Sequence, residues 1–181
     1  MSLYTRTGDD GMTSYADGHR ARKDDPLIEA FGALDEANCH IGLARDGIVD
    51  SELDAALGFV QHRLFDCSAA LSAAVGHGTP HALPDADDIT ALERVIDRYE
   101  ERSGAFAGFV IPGGDTSASR LQVARAVLRR AERRLVTALD GATGAATALA
   151  FVNRAADLLY AAARYTASGS ETPWESDAAR P

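Results

Sequence analysis

Apolar side chains recur every three or four residues in five stretches of the chain, as in amphipathic helices packed around one core. Connections are short and strand signals are almost absent, so we expect an all-α, up-and-down five-helix bundle. The inward positions predicted for the five helices in turn are Leu27, Phe31, Leu34 and Ile41; Leu53, Leu57, Val60, Leu64 and Leu71; Ile89, Leu92, Ile96 and Tyr99; Leu121, Ala124, Leu128, Ala131 and Leu135; and Leu149, Val152, Ala156, Leu159 and Ala163.

Capping residues predict where several helices begin and end. Asp25 followed by Pro26 is an N-cap before a proline at the first helical position. Ser51, with a carboxylate three residues on, predicts the start of the second helix. We expect the third helix from about residue 88 to 102, and the fifth from about 145 to 167. Asp140-Gly141 predicts the end of the fourth.

The helices predict one domain over residues 1–181, with no repeat or linker. Residues 1–24 lack a helical period and form an N-terminal arm. Residues 25–168 form the bundle. Residues 169–181, with Trp174, are predicted to be a loosely ordered tail.

Composition excludes several classes of protein. The 181 residues are 46% hydrophobic and carry a formal net charge of −9, which argues against a general nucleic-acid binder. No apolar run approaches the roughly 20 residues of a membrane span, and no secretory signal pattern opens the chain. Cys39 and Cys67 lie inside helical patterns and indicate buried thiols in a reducing cytosol, so we expect a cytoplasmic protein.

The fourth helix carries a charged strip beside its apolar stripe. Six arginines lie between Arg120 and Arg134, and Arg125, Arg129 and Arg133 recur with Glu132 on one face. The strip could be a solvated surface. It could also cradle a triphosphate, because a guanidinium bonds phosphate oxygens in pairs. The residues alone leave both readings open.

The N-terminal arm contains the ingredients of an anion site without a P-loop motif. Gly8, Gly11 and Gly18 stand among threonines, serines and aspartates, and glycine backbones can direct several N–H groups at an anion. Arg6 and Lys23, the only lysine of the chain, supply positive charge. The alternative is an arm that is frayed in the absence of a ligand.

Three smaller observations bear on chemistry. Asp35 lies at the edge of the first apolar stripe, either solvated or paired with an arginine. His77 and His81 are four apart but separated by Pro80, so we expect them on the surface. A di-iron bundle is excluded because no glutamate has a histidine three residues on.

Six blocks of sequence, in order and covering most of the chain, carry a family resemblance. They read Y-T-R-T-G-D-D-G-M-T-S at 4–14, K-D-D-P at 23–26, E-A-F-G-A-L-D-E-A-N at 29–38, F-V-I-P-G-G at 109–114, V-A-R-A-V-L-R-R-A-E-R-R at 123–134 and F-V-N-R-A-A-D-L-L-Y at 151–160. Together they resemble the PduO-type ATP:cob(I)alamin adenosyltransferases. Residues 45–105 match only in helical pattern.

The resemblance implies an enzyme that transfers the 5′-deoxyadenosyl group of ATP to the cobalt of reduced cobalamin, with Mg²⁺ as cofactor. It implies a homotrimer with active sites between subunits. It further implies a reductase that supplies Co(I) and an adenosylcobalamin-dependent client enzyme as possible partners, with no nucleic-acid or membrane partner.

The resemblance also assigns site residues. Asp35 and Arg125 would pair across the subunit boundary, and Phe109 would lie against the lower corrin face, leaving four-coordinate Co(II) that is easier to reduce. Arg129 would act in both catalysis and ATP binding. The ATP site implied by the family comprises Thr5, Arg6, Thr7, Gly8, Thr13, Ser14, Lys23, Arg129, Arg130, Glu132, Arg133 and Asn153.

One residue departs from the family pattern, since Asp10 stands where the family commonly has lysine. The change removes a positive charge near the phosphates. Two other functions therefore stay open: a cobalamin-delivery module with the same fold and no transfer activity, and a helical scaffold with a solvated arginine strip. The enzyme is favoured by the joint presence of Lys23, Arg125, Arg129, Glu132 and Asn153.

Overall fold

The computed structural model describes residues 4–74, 76–77, 82–104, 108–139, 145–167 and 169–176. Five helices account for most of them: α1 (Pro26–Arg45), α2 (Ser51–Ala74), α3 (Ala86–Ser103), α4 (Thr116–Ala138) and α5 (Ala146–Ala167). Four short strands, β1 (Met12–Ser14), β2 (Arg20–Arg22), β3 (Val110–Ile111) and β4 (Thr172–Pro173), form two antiparallel pairs. None of the described helices is long and apolar enough to cross a bilayer.

Contacts between helices confirm the up-and-down order. Arg134 near the end of α4 lies 3.5 Å from Glu29 near the start of α1. Arg120 near the start of α4 donates to the Leu43 carbonyl near the end of α1. Arg45 and Asp54 likewise join the end of α1 to the start of α2 at 2.7 Å. Arg102 near the end of α3 bonds Asp50 at the start of α2, and Arg154 and Arg164 of α5 bond Glu93 and Gly104 at the matching ends of α3. Successive helices therefore run in opposite directions, and α1, α3 and α5 share one direction.

The predicted stripes form the core. Most inward positions are fully buried, among them Leu34, Leu64, Leu128 and Leu159. Phe31, Ile89 and Leu149 are partly buried and pack against the same cluster. One continuous core therefore lies between the helices, and it leaves the charged strip of α4 outside.

Helix starts follow capping chemistry, with two corrections. Asp25 caps α1 as predicted, accepting from the Leu27 N–H at 2.9 Å. The cap of α2 is Asp50, not Ser51, since its carboxylate accepts the N–H groups of Glu52 and Leu53. α3 begins two residues earlier than predicted because Asp85 forms a capping box.

Two terminal segments are more ordered than predicted. The N-terminal arm is not frayed: β1 and β2 form a hairpin that pairs Met12 with Arg22 and Ser14 with Arg20. The described part of the C-terminal tail, residues 169–176, is not loose, because β4 pairs with β3 and the Trp174 N–H donates to the Phe109 carbonyl at 2.7 Å.

His77 is also not the free surface residue that was predicted. Its ring stacks on Tyr15 with centroids 4.1 Å apart. His81 and the predicted helix end at Asp140-Gly141 lie outside the described residues.

Candidate functional site

The arginines of α4 divide into two sets according to the helix they face. Arg120 donates to the Leu43 carbonyl, Arg130 bonds Glu36 and Arg134 lies near Glu29, all on α1. These three arginines therefore connect α4 to α1 within the protomer.

Arg125, Arg129 and Arg133 form the second set, which we call the free arginine row. None of the three has a carboxylate within ion-pair distance among the residues that the structure describes. The Arg125 guanidinium donates to the Gln122 side-chain oxygen at 2.8 Å and lies over the Tyr160 ring. Arg133 donates to the Arg129 carbonyl.

Like charges lie close together in this row. Burial, and then the charge of Arg129, lower the pKa of Arg125 from its ordinary value. An arginine stays protonated even so. Because repulsion and desolvation both disfavour the charge of Arg125, a polyanion bound at the row would relieve them, and the row fits a triphosphate.

The α5 side of the row is polar. Asn153 donates its side-chain N–H to a Glu132 carboxylate oxygen at 2.9 Å, so the two predicted site residues fix each other. Tyr160 packs on Arg125 as described. The other two polar positions on this side turn away from the row: Asp157 bonds Arg154, and Arg164 is buried and bonds Glu171.

In the N-terminal arm, Lys23 closes a loop over Gly8. Its Nζ donates to the Gly8 carbonyl at 2.7 Å, and the Gly11 N–H approaches the same oxygen at 3.3 Å. A Cβ on Gly8 would lie 3.1 Å from the Met12 carbonyl oxygen and 3.3 Å from Lys23 Nζ, so a larger residue would have to push one of them aside. The side-chain hydroxyls of Thr5 and Thr7 form a hydrogen bond, with their oxygens 2.8 Å apart.

Arg20 organises the rest of the hairpin, and sequence reasoning missed it. Its guanidinium donates to the Thr7 carbonyl and to the Ser14 hydroxyl, and lies 3.5 Å from Asp10. The Asp10 carboxylate also accepts the Met12 N–H. The residue that departs from the family pattern thus makes contacts inside the hairpin.

Among the remaining predicted residues, Asp35 and Arg125 do not contact each other within the protomer. Asp35 is exposed on α1 and lines a cavity of about 320 Å³ between α1 and α2, with Cys39, Gln61 and Phe65. Arg125 faces α5 instead, so no ion pair joins it to Asp35 within the protomer. Arg6 has a left-handed backbone at φ 61°, and Thr13 is half-buried in β1.

Phe109 lies at the opposite end of the bundle from the arm. Its ring is 75% exposed and meets Trp174 edge-on, with centroids 6.4 Å apart. Helix α4 rises about 1.5 Å per residue, so Thr116 and Arg133 are roughly 25 Å apart along its axis. One protomer therefore does not bring Phe109 and Arg133 together at a single reaction centre.

Comparison with known proteins agrees with the resemblance. Residues 3–166 match the family model described as "Cobalamin adenosyltransferase". The chain is 39% identical over 165 residues to the corrinoid adenosyltransferase PduO of Salmonella typhimurium, covering 91% of this chain and 49% of that protein. It is also 39% identical over 170 residues to the corrinoid adenosyltransferase of Bacillus subtilis, covering 91% and 86%.

A solved structure is similar as well. It is a variant PduO-type ATP:corrinoid adenosyltransferase from Lactobacillus reuteri complexed with cobalamin and ATP, with a TM-score of 0.84 and 31% identity over 96% of this chain and 99% of that one. The chain spans about half the length of the Salmonella relative, and nearly all of the Lactobacillus chain.

Proposed function

Because this chain belongs to the cobalamin adenosyltransferase family, we propose that it transfers the 5′-deoxyadenosyl group of ATP to the cobalt of cob(I)alamin. The electron pair of Co(I) attacks the ribose 5′ carbon, and the bond from that carbon to the triphosphate oxygen breaks. The bonding pair leaves with triphosphate, and adenosylcobalamin is the product. No proton has to move in this step.

The free arginine row is the observation that carries the proposal. Negative charge grows on the triphosphate as the carbon–oxygen bond breaks, and fixed cations stabilise charge that develops in a transition state. Arg125, Arg129 and Arg133 can do this because no carboxylate of the described chain neutralises them. Arg130 could join them only by giving up its ion pair with Glu36.

Mg²⁺ fits the same surface. It usually keeps several waters and is held by substrate phosphates with one or two carboxylates. Glu132 is the only carboxylate of α4 and lies beside the row, bonded to Asn153. Glu132 would therefore orient Mg²⁺ or its waters, while the ion neutralises charge on the phosphates.

The N-terminal arm supplies the other half of the ATP site. Its proposed contacts are made by Thr5, Arg6, Thr7, Gly8, Thr13, Ser14 and Lys23, and those of the bundle by Arg129, Arg130, Glu132, Arg133 and Asn153. In the part of the chain that the structure describes, no hydrogen bond or ion pair joins residues 5–23 to α4. We therefore place the complete site between two subunits of a homotrimer, where Asp35 of one chain meets Arg125 of the next.

Phe109 would act on the corrin rather than on ATP. An exposed ring can fill the space below the cobalt and exclude both water and the lower axial ligand. Loss of that ligand lowers the orbital that accepts the electron, which eases reduction to Co(I). The proposal includes a cytoplasmic location. It also includes two partners, a reductase that supplies Co(I) and a client enzyme that uses adenosylcobalamin.

An anaerobic assay with ATP, Mg²⁺ and chemically reduced cobalamin tests the reaction. It follows the loss of the Co(I) spectrum and the appearance of light-sensitive adenosylcobalamin. Arg129→Ala should lose roughly 10²- to 10³-fold in kcat, the scale for one lost transition-state donor. Arg134→Ala is the matched control, because that arginine faces Glu29, and it should retain most of the activity.

The other outcomes have distinct meanings. Tight corrin binding without turnover would favour the delivery module and direct attention to Asp10, with Asp10→Lys as the next variant. Equal losses in Arg129→Ala and Arg134→Ala would remove the special role of the free arginine row. Failure to bind either ATP or cobalamin would return the row to a solvated surface.

A further inference from the structure

Three rings join the N-terminal arm to the end of α2. Tyr15 and His19 lie at the two ends of the hairpin loop, and His77 follows α2. The His77 ring stacks on Tyr15 at 4.1 Å with an interplanar angle of 8°, and on His19 at 4.5 Å with an angle of 23°. We call these residues the ring cluster.

Polar contacts hold the ring cluster in place. Tyr15 is 9% exposed, and its hydroxyl donates to Asp25, the N-cap of α1. Asp17 accepts the His19 backbone N–H at 2.8 Å and pairs with His77 Nδ1 at 3.3 Å. The cluster thus connects the hairpin to two helices of the bundle.

Among the residues that the structure describes, the ring cluster and Asp17 make the only side-chain hydrogen bonds that tie this part of the arm to the bundle. The other side-chain hydrogen bonds of residues 5–23 in the described chain lie within the arm, including the one from Arg22 to Asp24. The loop around Gly8 is bonded to Lys23 and Arg20 within the same hairpin. The position of that loop relative to the helices therefore depends on the cluster, together with Ala21 of β2, which packs against the core.

We propose that the ring cluster is a positioning device for ATP, in which His77 holds the N-terminal arm in its binding orientation before the nucleotide arrives. None of its three rings needs to touch ATP. The inference rests on the proposed function for its kinetic consequence, but not for its structural one.

The expected consequence follows from preorganisation. An arm that is already positioned does not lose its freedom on binding, so ATP binds more tightly. A stacked aromatic contact is worth about a two- to tenfold change in an equilibrium constant. Loss of the ring should raise KM for ATP by that factor, while kcat at saturating ATP and KM for cob(I)alamin stay unchanged.

Three variants of the full chain test this. His77→Ala removes the ring, His77→Phe keeps a ring that can stack but cannot pair with Asp17, and Thr90→Ala alters a hydroxyl on α3 that bonds only its own helix. Amide hydrogen exchange is measured without nucleotide on peptides covering residues 12–22 and on α4, followed by both KM values and kcat.

In His77→Ala we expect faster amide hydrogen exchange of residues 12–22 and an unchanged exchange rate in α4. In His77→Phe the exchange of residues 12–22 should return to the wild-type rate. KM for ATP should follow the same order, and Thr90→Ala should match wild type. Unchanged exchange in His77→Ala, or a uniform loss of protection that includes α4, would overturn the proposal. If wild type has no transferase activity, the exchange result still decides whether the ring cluster holds the arm.

Discussion

Angular position on α4, not residue type, separates arginines that hold the fold from those that can meet a ligand. Arg130 directly follows Arg129, yet a step of one residue turns the side chain by about 100° and brings it over α1. There it finds Glu36, whereas Arg129 finds no carboxylate in the described chain. The sequence shows six cations in this stretch, and only the packing of α4 shows which of them already have partners.

The two cysteines should differ in reactivity. Cys67 is fully buried as predicted, and burial raises the pKa of its thiol to about 12, whereas the prediction was wrong for Cys39, which is exposed in the protomer. Only thiolates react with alkylating reagents. At pH 8 we expect iodoacetamide to modify Cys39 and spare Cys67 in native protein, and to modify both in urea, as read by peptide mass spectrometry. Native labelling of Cys67 at the unfolded rate would contradict this.

The Cys67 thiol also sets an alkaline limit on stability. Its folded pKa lies above the unfolded value, so its neutral form favours folding fully below about pH 8.5. That contribution is lost as pH rises from the unfolded pKa through the folded one. The free energy of unfolding should therefore fall as pH rises above 9, and this decrease should be smaller in Cys67→Ala.

Phe109→Ala should impair reduction of the corrin rather than ATP binding. A methyl group cannot fill the space of an exposed aromatic ring, so water or the lower ligand can reach the cobalt. We expect a smaller fraction of four-coordinate Co(II) in the presence of ATP, measured by electron paramagnetic resonance. Phe109→Leu, which keeps apolar volume, should lie between wild type and Phe109→Ala, and an unchanged fraction in Phe109→Ala would refute the assignment.

At the scale of the elements, the cap of α2 offers a clear test. Asp50 accepts two backbone N–H groups of the first turn and the Tyr165 hydroxyl, while Ser51 makes neither capping bond. Asp50→Ala should cost about 1–2 kcal/mol in the free energy of unfolding. Ser51→Ala, the neighbouring control, should stay within about 0.5 kcal/mol. Urea unfolding at one protein concentration measures both, and equal costs would reject the assignment.

The same carboxylate predicts a pH dependence. The Leu53 N–H in the first place, and the Tyr165 hydroxyl as well, hold the pKa of Asp50 below its ordinary value. Its contribution is therefore complete above the unfolded pKa of about 4 and disappears as pH falls through the folded pKa. The difference in the free energy of unfolding between wild type and Asp50→Ala should be largest at pH 7 and become small at pH 3.

The five helices could be predicted because each is long enough to repeat its apolar period several times. β1 and β2 have three residues each, too few for an alternation to register, and β3–β4 joins segments about 60 residues apart. The cap at Asp50 was missed because Ser51 beside it is an equally good cap by type. His77 was assigned to the surface because its stacking partner Tyr15 lies far away in the chain.

The candidate site was predictable only in part for a related reason. The site residues were assigned from six sequence blocks that resemble the family, but these blocks do not show which arginine of α4 faces which helix. Arg20 and Trp174 were missed because their roles lie in hairpin and strand pairing that local patterns do not show. The site assignments themselves stay predictions.

At the scale of the whole molecule, the separation of Asp35 from Arg125 predicts complementation between subunits. Asp35→Ala and Arg125→Ala should each be poorly active alone. When the two chains are co-expressed, about one interface in four should combine an intact Asp35 with an intact Arg125 under random assembly. We therefore expect about a quarter of wild-type activity per chain in the mixed trimers.

A matched mixture controls for assembly effects. Asp35→Ala co-expressed with the double variant Asp35→Ala/Arg125→Ala contains no intact Asp35, so it should gain nothing. Size-exclusion chromatography with light scattering should show three chains per particle in every case. Monomeric enzyme with full activity, or no recovery in correctly mixed trimers, would contradict a site shared between subunits.

The contact between Lys23 and Gly8 has a practical consequence for labelling. Lys23 is exposed and is the only lysine among the 181 residues, so an amine-reactive fluorophore can attach only there and at an α-amino group. Acylation removes the charge that closes the loop, and bound nucleotide should shield the amine from the reagent. The chain thus carries a chemical handle of its own in the proposed ATP site, and the extent of labelling can report nucleotide occupancy without an engineered cysteine.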